Sequence, residues 1–217
     1  MFEIVVLALL AGFIALRLIS VLGRHDESAE TPQPMMRTKE APRAGGNVIA
    51  MPAAERPPLT IPDGVNDTAR GGLEAIAGED AYFDPTAFVE GATAAYRMVL
   101  ESFWNGDKDE LKDLVSDDIY DDFAAAIDAR ADDDNQYENR LVDIENAEIL
   151  SAGLRGQMAE ITVRFDSDLI SVTRDADGNV IAGSDSDATQ AHDIWTFSRH
   201  LSSDDPAWLL IETDGAE

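Results

Sequence analysis

Residues 158–175 read MAEITVRFDSDLISVTRD, and the period of this stretch decides the fold class. Ile161, Val163 and Phe165 alternate with Thr162, Arg164 and Asp166. A period of two is the mark of a strand with one apolar and one wet face. DADGN at 175–179 then signals a turn. The same period recurs on both sides, in RLVDIENAEILSA (140–152), HDIWTFSRHL (192–201) and AWLLIET (207–213), with SSDDP (202–206) between the last two. Consecutive strands joined by short polar turns describe an antiparallel meander of four or more strands.

Upstream of Asn135 the period is helical. FDPTAFVEGATAAYRMVLESFWNGD (83–107) opens with Asp84 as N-cap and Pro85 at the first helical position. Phe88, Ala92, Ala95, Val99 and Phe103 follow at three- and four-residue steps, and Asn105-Gly106 closes the helix. DKDELKDLV (107–115) gives a short second helix with Leu111, Leu114 and Val115 inward. Ser116 opens a third, in which Ile119, Phe123 and Ile127 share a face and Asp117 and Asp118 occupy the dipole-favoured first turn. A further short helix is read at 67–77. Helices followed by strands predict an α+β domain with the helices on one face of a curved sheet. Such a sheet leaves room for a cavity. Phe88, Val99, Phe103, Phe123, Ile161, Val163, Phe165, Trp195, Phe197 and Trp208 are either an ordinary core or the lining of an apolar pocket for a peptide or lipid tail.

The chain opens MFEIVVLALLAGFIALRLISVLGR (1–24), and 13 of the 19 residues from Ile4 to Leu22 are Leu, Ile, Val or Phe. These favour insertion by about 4–8 kcal/mol, against at most about 3 kcal/mol for Arg17, which can snorkel from near the end of the run. Nineteen residues of helix reach about 28 Å, close to the hydrocarbon thickness. Glu3 precedes the run, Arg17, Arg24 and His25 follow its core, and Leu22-Gly23-Arg24 is a poor cleavage site, so an uncleaved anchor is expected rather than a signal peptide. Ile4, Leu10, Phe13, Leu16, Arg17 and Leu22 are its candidate residues. The positive-inside rule places the C-terminal side in the cytoplasm. Residues 24–64, rich in Pro and carrying Gly45-Gly46, read as a disordered linker. About 60 residues of flexible chain span on the order of 40–45 Å. The expected partition is thus 1–23 anchor, 24–64 linker and 65–217 folded domain.

Charge narrows the partners. The chain carries 16 Lys+Arg and 43 Asp+Glu, and from Ala81 onward the balance is 9 against 32. Such a surface repels phosphate backbones, so nucleic acid is not an expected partner. Without cysteine there is no disulfide, thiol nucleophile or thiolate metal site. Asp175, Asp177 and Asn179 resemble a calcium loop, but Val180 stands where the pattern needs Gly and Ser186 where it needs Glu. Asp132, Asp133 and Asp134 read as a solvated helix end. His192 and His200 are eight apart on one strand, hence about 27 Å apart, too far to share a metal. His192 and Asp193 fall on opposite faces. Arg164, Asp193 and His192 are the candidates for a polar group inside a pocket. No catalytic, cofactor or metal site is expected.

Three stretches, FVEGATAAYRMVLESFWNGDKDELKDLVSDDIYDDFAAAI (88–127), AEITVRFDSDLISVTRDADGNVI (159–181) and DIWTFSRHLSSDDPAWLLIET (193–213), resemble the Tim44-like domain family, and the opening run is similar to the anchor of its alphaproteobacterial members. The family includes the mitochondrial inner-membrane import-motor scaffold and bacterial relatives. The resemblance covers about residues 65–215 and the anchor. It implies a cone-shaped fold similar to nuclear transport factor 2, with an apolar pocket between helices and sheet. It also implies a non-enzymatic scaffold or adaptor at the bacterial inner membrane that meets a chaperone, a translocase or a client polypeptide. Two departures stand out: residues 24–65 hold no counterpart of a chaperone-recruiting region, and the acidity opposes docking on anionic lipid. A tethered module for lipid or a small hydrophobe is the alternative, and a small-ligand enzyme of the nuclear transport factor 2 type a third.

Overall fold

The helices come first in the chain and the strands last. The computed structural model describes residues 59–62, 65–131 and 134–215. These belong to a unit spanning Pro57–Glu217. The expected anchor, including Ile4, Leu10, Phe13, Leu16, Arg17 and Leu22, lies outside the described residues, as do nearly all of the expected linker and Asp132-Asp133. No helix among the described residues is long and apolar enough to cross a membrane.

Helix α1 spans Asp67–Glu79, and Asn66 caps it, its Oδ1 accepting from the Ala69 N–H at 2.8 Å. The same side chain donates through Nδ2 to the Leu150 carbonyl at 2.9 Å, so one asparagine both starts the helix and fixes it to a strand. Ala69, Leu73 and Ile76 are buried, and Gly72 lies so close to Ala152 that a Cβ there would collide with the Ala152 carbonyl. Helix α2 spans Pro85–Asn105, with the Asp84 carboxylate accepting from Thr86 and Ala87 N–H groups as the sequence predicts. It ends at Gly106, whose φ of 72° needs glycine. Its buried stripe is Phe88, Ala92, Tyr96, Val99 and Ser102. Tyr96 and Ser102 therefore take the interior places that the sequence reading gave to Ala95 and Phe103, which are half-buried. Helix α3 spans Lys108–Leu114 and α4 spans Asp117–Ala131.

Strands β1 (Gln136–Arg155), β2 (Met158–Arg174), β3 (Val180–Gly183), β4 (Thr189–His200) and β5 (Leu209–Gly215) form one antiparallel sheet. Its order is β1-β2-β4-β5, with β3 beside the far end of β2. Three register shifts interrupt the β1–β2 ladder, at Leu141/Asp143, Ile144/Asn146 and Ile149/Ser151. Each bulge adds bend and twist, which lets a 20-residue strand curve. The alternation read at 158–175 sets the two faces. Ile161, Val163 and Phe165 are fully buried, as is Ser167, while Thr162, Arg164 and Asp166 keep partial exposure. Val163 pairs with Trp195, and Ile161 with Phe197, so the β4 aromatics share the inner face. Each fully buried side chain of this size contributes about 1.5–3 kcal/mol.

Candidate functional site

The inner face of β2 and β4 carries a file of aromatic rings under α2. Tyr96 stacks on Phe165 with centroids 4.4 Å apart and leans on Trp195 at 4.6 Å. Phe165 meets Trp195 and Phe197 edge-on. Phe88 continues the file between Phe197, at 6.1 Å, and Trp208, at 4.8 Å. The structure thus joins Phe88, Phe165, Trp195, Phe197 and Trp208 in one run of ring contacts, with Val99, Ile161 and Val163 buried beside it. Phe103 and Phe123 form a separate, half-buried pair 5.1 Å apart at the C-terminal end of α2. Arg130 lies over Phe103 and donates to the Phe103 and Trp104 carbonyls, so it closes the helix end as well. Packed this way, the rings occupy one another's space.

Two polar groups interrupt the file. The Tyr96 hydroxyl donates to Asp193 Oδ2 at 2.6 Å and lies 2.9 Å from Ser167 Oγ, which therefore acts as the donor in that pair. This clasp ties α2 to β2 and β4. Burial pushes the Asp193 carboxyl above its ordinary range, against the Tyr96 hydrogen bond and the nearby His192, which pull it down. Burial and then the Asp193 charge push the Tyr96 phenol up, so it stays protonated and donating. At the other end Arg199 pairs with Asp80 and lies over the Trp208 ring, 5.3 Å from its centre. Burial opposes ionisation of Asp80, but the Tyr82 N–H and Arg199 hold its carboxyl below the usual range.

Arg164, Asp193 and His192 do not meet in the interior. Asp193 faces Tyr96, whereas Arg164 and His192 sit on the opposite face and converge on Asp166. His192 Nδ1 is 2.7 Å from Asp166 Oδ1, Arg164 Nε is 3.6 Å from the same oxygen, and Arg164 Nη2 donates to Glu148 at 2.7 Å. The His192 bond holds Asp166 below its ordinary range. Asp166 was legible in principle, since an antiparallel register places 166 opposite 192. Ser167 and Tyr96 were missed, although a serine on the apolar side of the Ile161-Val163-Phe165 alternation is itself a signal of an interior polar partner.

The other motifs resolve simply. Asp175 accepts from the Asp177 and Asn179 N–H groups, which closes the calcium-like stretch as a turn. No group of three His, Asp or Glu side chains able to hold a metal occurs among the described residues. A recess of about 290 Å³ is lined by Glu138, Asn139, Arg140, Ile170, Val172 and Asp185, and shares no residue with the expected pocket lining.

The Tim44-like domain model matches residues 69–215, from the first turn of α1 to the last residue of β5. The chain belongs to the Tim44-like domain family. The human mitochondrial import inner membrane translocase subunit TIM44 is 26% identical over 143 residues, which are 64% of this chain and 32% of that protein. A probable import inner membrane translocase subunit, tin-44, of Caenorhabditis elegans is 29% identical over 77 residues, 35% of this chain and 18% of that protein. The chain thus matches about a third or less of the length of these relatives. Among solved structures, the intermembrane space region of the chloroplast protein ARC6 aligns with 58% of this chain and 95% of its own, at 13% identity and a TM-score of 0.39. All the ring contacts and both clasps described above fall inside the Tim44-like range, and the Asn66 cap lies just before it.

Proposed function

We propose that this chain is a membrane-anchored, non-enzymatic scaffold or adaptor at a bacterial inner membrane, which binds proteins or unfolded segments during protein translocation or membrane-protein assembly. The observation that carries the reading is a family match running through every helix and strand of the folded unit, to relatives named as import translocase subunits. Residues 1–23 serve as the single-pass anchor, 24–64 as a Pro-rich tether and 65–217 as the working domain, held on the cytoplasmic side. The partner is a chaperone, a translocase or a client polypeptide, and the domain uses neither nucleic acid nor a cofactor. Phe88, Val99, Phe103, Phe123, Ile161, Val163, Phe165, Trp195, Phe197 and Trp208 supply the apolar interior on which such contacts rest, with Phe103, Phe123 and Trp208 at its half-exposed rim.

Photo-crosslinking side chains placed at Trp104, Phe123 and Trp208 in living cells test this. Adducts with nascent or membrane-inserting polypeptides are expected. Adducts with lipid alone replace the reading with that of a tethered lipid-binding module, and no adducts at all overturn it. Protease added to spheroplasts and to inverted vesicles tests the orientation: digestion of the domain only in inverted vesicles is expected.

A further inference from the structure

Among the described residues the sheet has an edge that no strand covers. Strands β3 and β4 lie end to end along the same side of β2, since β2 pairs with Val180–Gly183 through Val172–Arg174 and with Thr189–His200 through Met158–Leu169. On the next line β5 covers only Asp193–Ser198. Among the described residues no strand pairs with β3 or with Thr189–His192 on that side. Val180 and Ile181, at 47% and 40% exposure, are among the most exposed of the large apolar side chains in the described residues. A register shift between Thr173 and Arg174 leaves Ile181 without a partner on β2. In the connecting loop Asp185 is drawn to Arg174 at 2.8 and 3.0 Å and lines the recess with Ile170 and Val172.

An exposed edge with apolar side chains is a template for another strand. Charge chooses the strand. Residues 174–187 carry Asp175, Asp177, Asp185 and Asp187 against Arg174 alone. Two copies of this edge would oppose like charges, which disfavours self-pairing. We propose that β3 and the adjoining Thr189–His192 add an extended polypeptide strand in which β-branched residues are bracketed by Lys or Arg. This rests on the polypeptide-binding reading above and names the geometry and chemistry of the client. Backbone pairing supplies sequence tolerance, the apolar side chains supply contact, and the flanking carboxylates select basic ends.

The test uses the full chain in detergent and a fluorescent peptide, Lys-Val-Thr-Ile-Thr-Val-Lys. Slowed hydrogen exchange at 180–183 and 189–192 is expected when the peptide binds. Val180→Lys, at an exposed position that leaves the core intact, and Asp187→Lys should each weaken binding about tenfold. A peptide with Pro at alternate positions should not bind, and one with Glu for Lys should bind at least tenfold more weakly. Unchanged affinity in both variants, protection confined to other segments, or no binding overturns the proposal. If the in-cell crosslinks nevertheless form at Trp104, Phe123 or Trp208, only strand addition falls. If those fail too, the adaptor reading falls with it.

Discussion

Replacing Tyr96 by Phe removes one oxygen atom and isolates two polar groups. Tyr96 is fully buried, and its hydroxyl bonds Asp193 at 2.6 Å and Ser167 at 2.9 Å. The ring contacts with Phe165 and Trp195 survive the change, so the loss is that of the hydroxyl alone. Leaving interior polar partners unsatisfied costs about 1–3 kcal/mol. For a domain of this size each kcal/mol moves the melting temperature by about 2–4 °C, so a fall of roughly 2–12 °C is expected. The pH dependence carries more information. Burial raises the folded pKa of Asp193 above the unfolded value of about 3.9. Its contribution to stability is therefore complete below the unfolded value and is lost as pH rises through the folded one. The Tyr96 bond favours the charged carboxylate, so its removal moves that pKa higher still. The deficit of Tyr96→Phe should be largest near pH 7 and should shrink as pH falls through the carboxyl range. Thermal unfolding of both proteins across that range, followed by tryptophan fluorescence because Trp195 leans on Tyr96, measures it. A fall under about 1 °C near pH 7, or a deficit that ignores pH, refutes the reasoning.

Three further outcomes follow from named contacts. Gly72→Ala must push α1 off β1 because the new Cβ meets the Ala152 backbone, whereas Gly71→Ala, with open space around it, should stabilise the helix by about 0.5–1 kcal/mol; denaturant unfolding of both variants separates collision from propensity. Arg199→Met leaves Asp80 unpaired, and because both side chains keep about 15–16% exposure the cost should be about 2 kcal/mol, below the roughly 3–5 kcal/mol of a fully buried pair. Asp80 has a depressed pKa, so its contribution is present above the unfolded value and lost as pH falls through the folded one; the variant should lose part of that acid-side slope and keep the part owed to the Tyr82 and Phe83 N–H groups, which calorimetry across pH reads directly. Phe165→Ala removes a ring touching Tyr96, Trp195 and Phe197 and should cost about 3–5 kcal/mol, visible as a collapsed denaturation midpoint.

The elements whose signals are local were legible. Asp84-Pro85 and Gly106 fix the ends of α2 through a side-chain cap, a preset φ and a left-handed residue, each a property of one or two positions. The alternation at Ile161–Phe165 fixes the inner face of β2 by the geometry of a strand. What was hidden depends on pairing. Nothing near Tyr96 announces Asp193, 97 residues away, and Asn66 finds its strand partner 84 residues on. The β1 bulges were likewise hidden, because a register shift belongs to two strands at once. So was the exposed edge: β3 is four residues long and follows a strong turn signal, too short for a period to declare itself.

The packing of the rings bears on how a client could be held. Inserting a client side chain between Phe88 and Trp208, or between Tyr96 and Phe165, first separates rings already in contact at 4.8 and 4.4 Å. Each ring withdrawn from its neighbours forfeits burial worth about 1.5–3 kcal/mol, and the incoming side chain returns a similar amount, so the exchange is close to neutral. It must also break the Tyr96–Asp193 clasp or the Arg199–Asp80 pair. Strand addition at β3 opens no ring contact and leaves both clasps intact. Its backbone groups already face solvent, so the gain of new hydrogen bonds, about 0.5–1.5 kcal/mol each, is not offset by core disruption. For the proposed binding of an extended polypeptide, such an edge serves better than an interior whose rings already touch. The two routes part experimentally at Trp195: a client held in the interior changes its emission, whereas a client held on the edge protects 180–183 and leaves that emission unmoved.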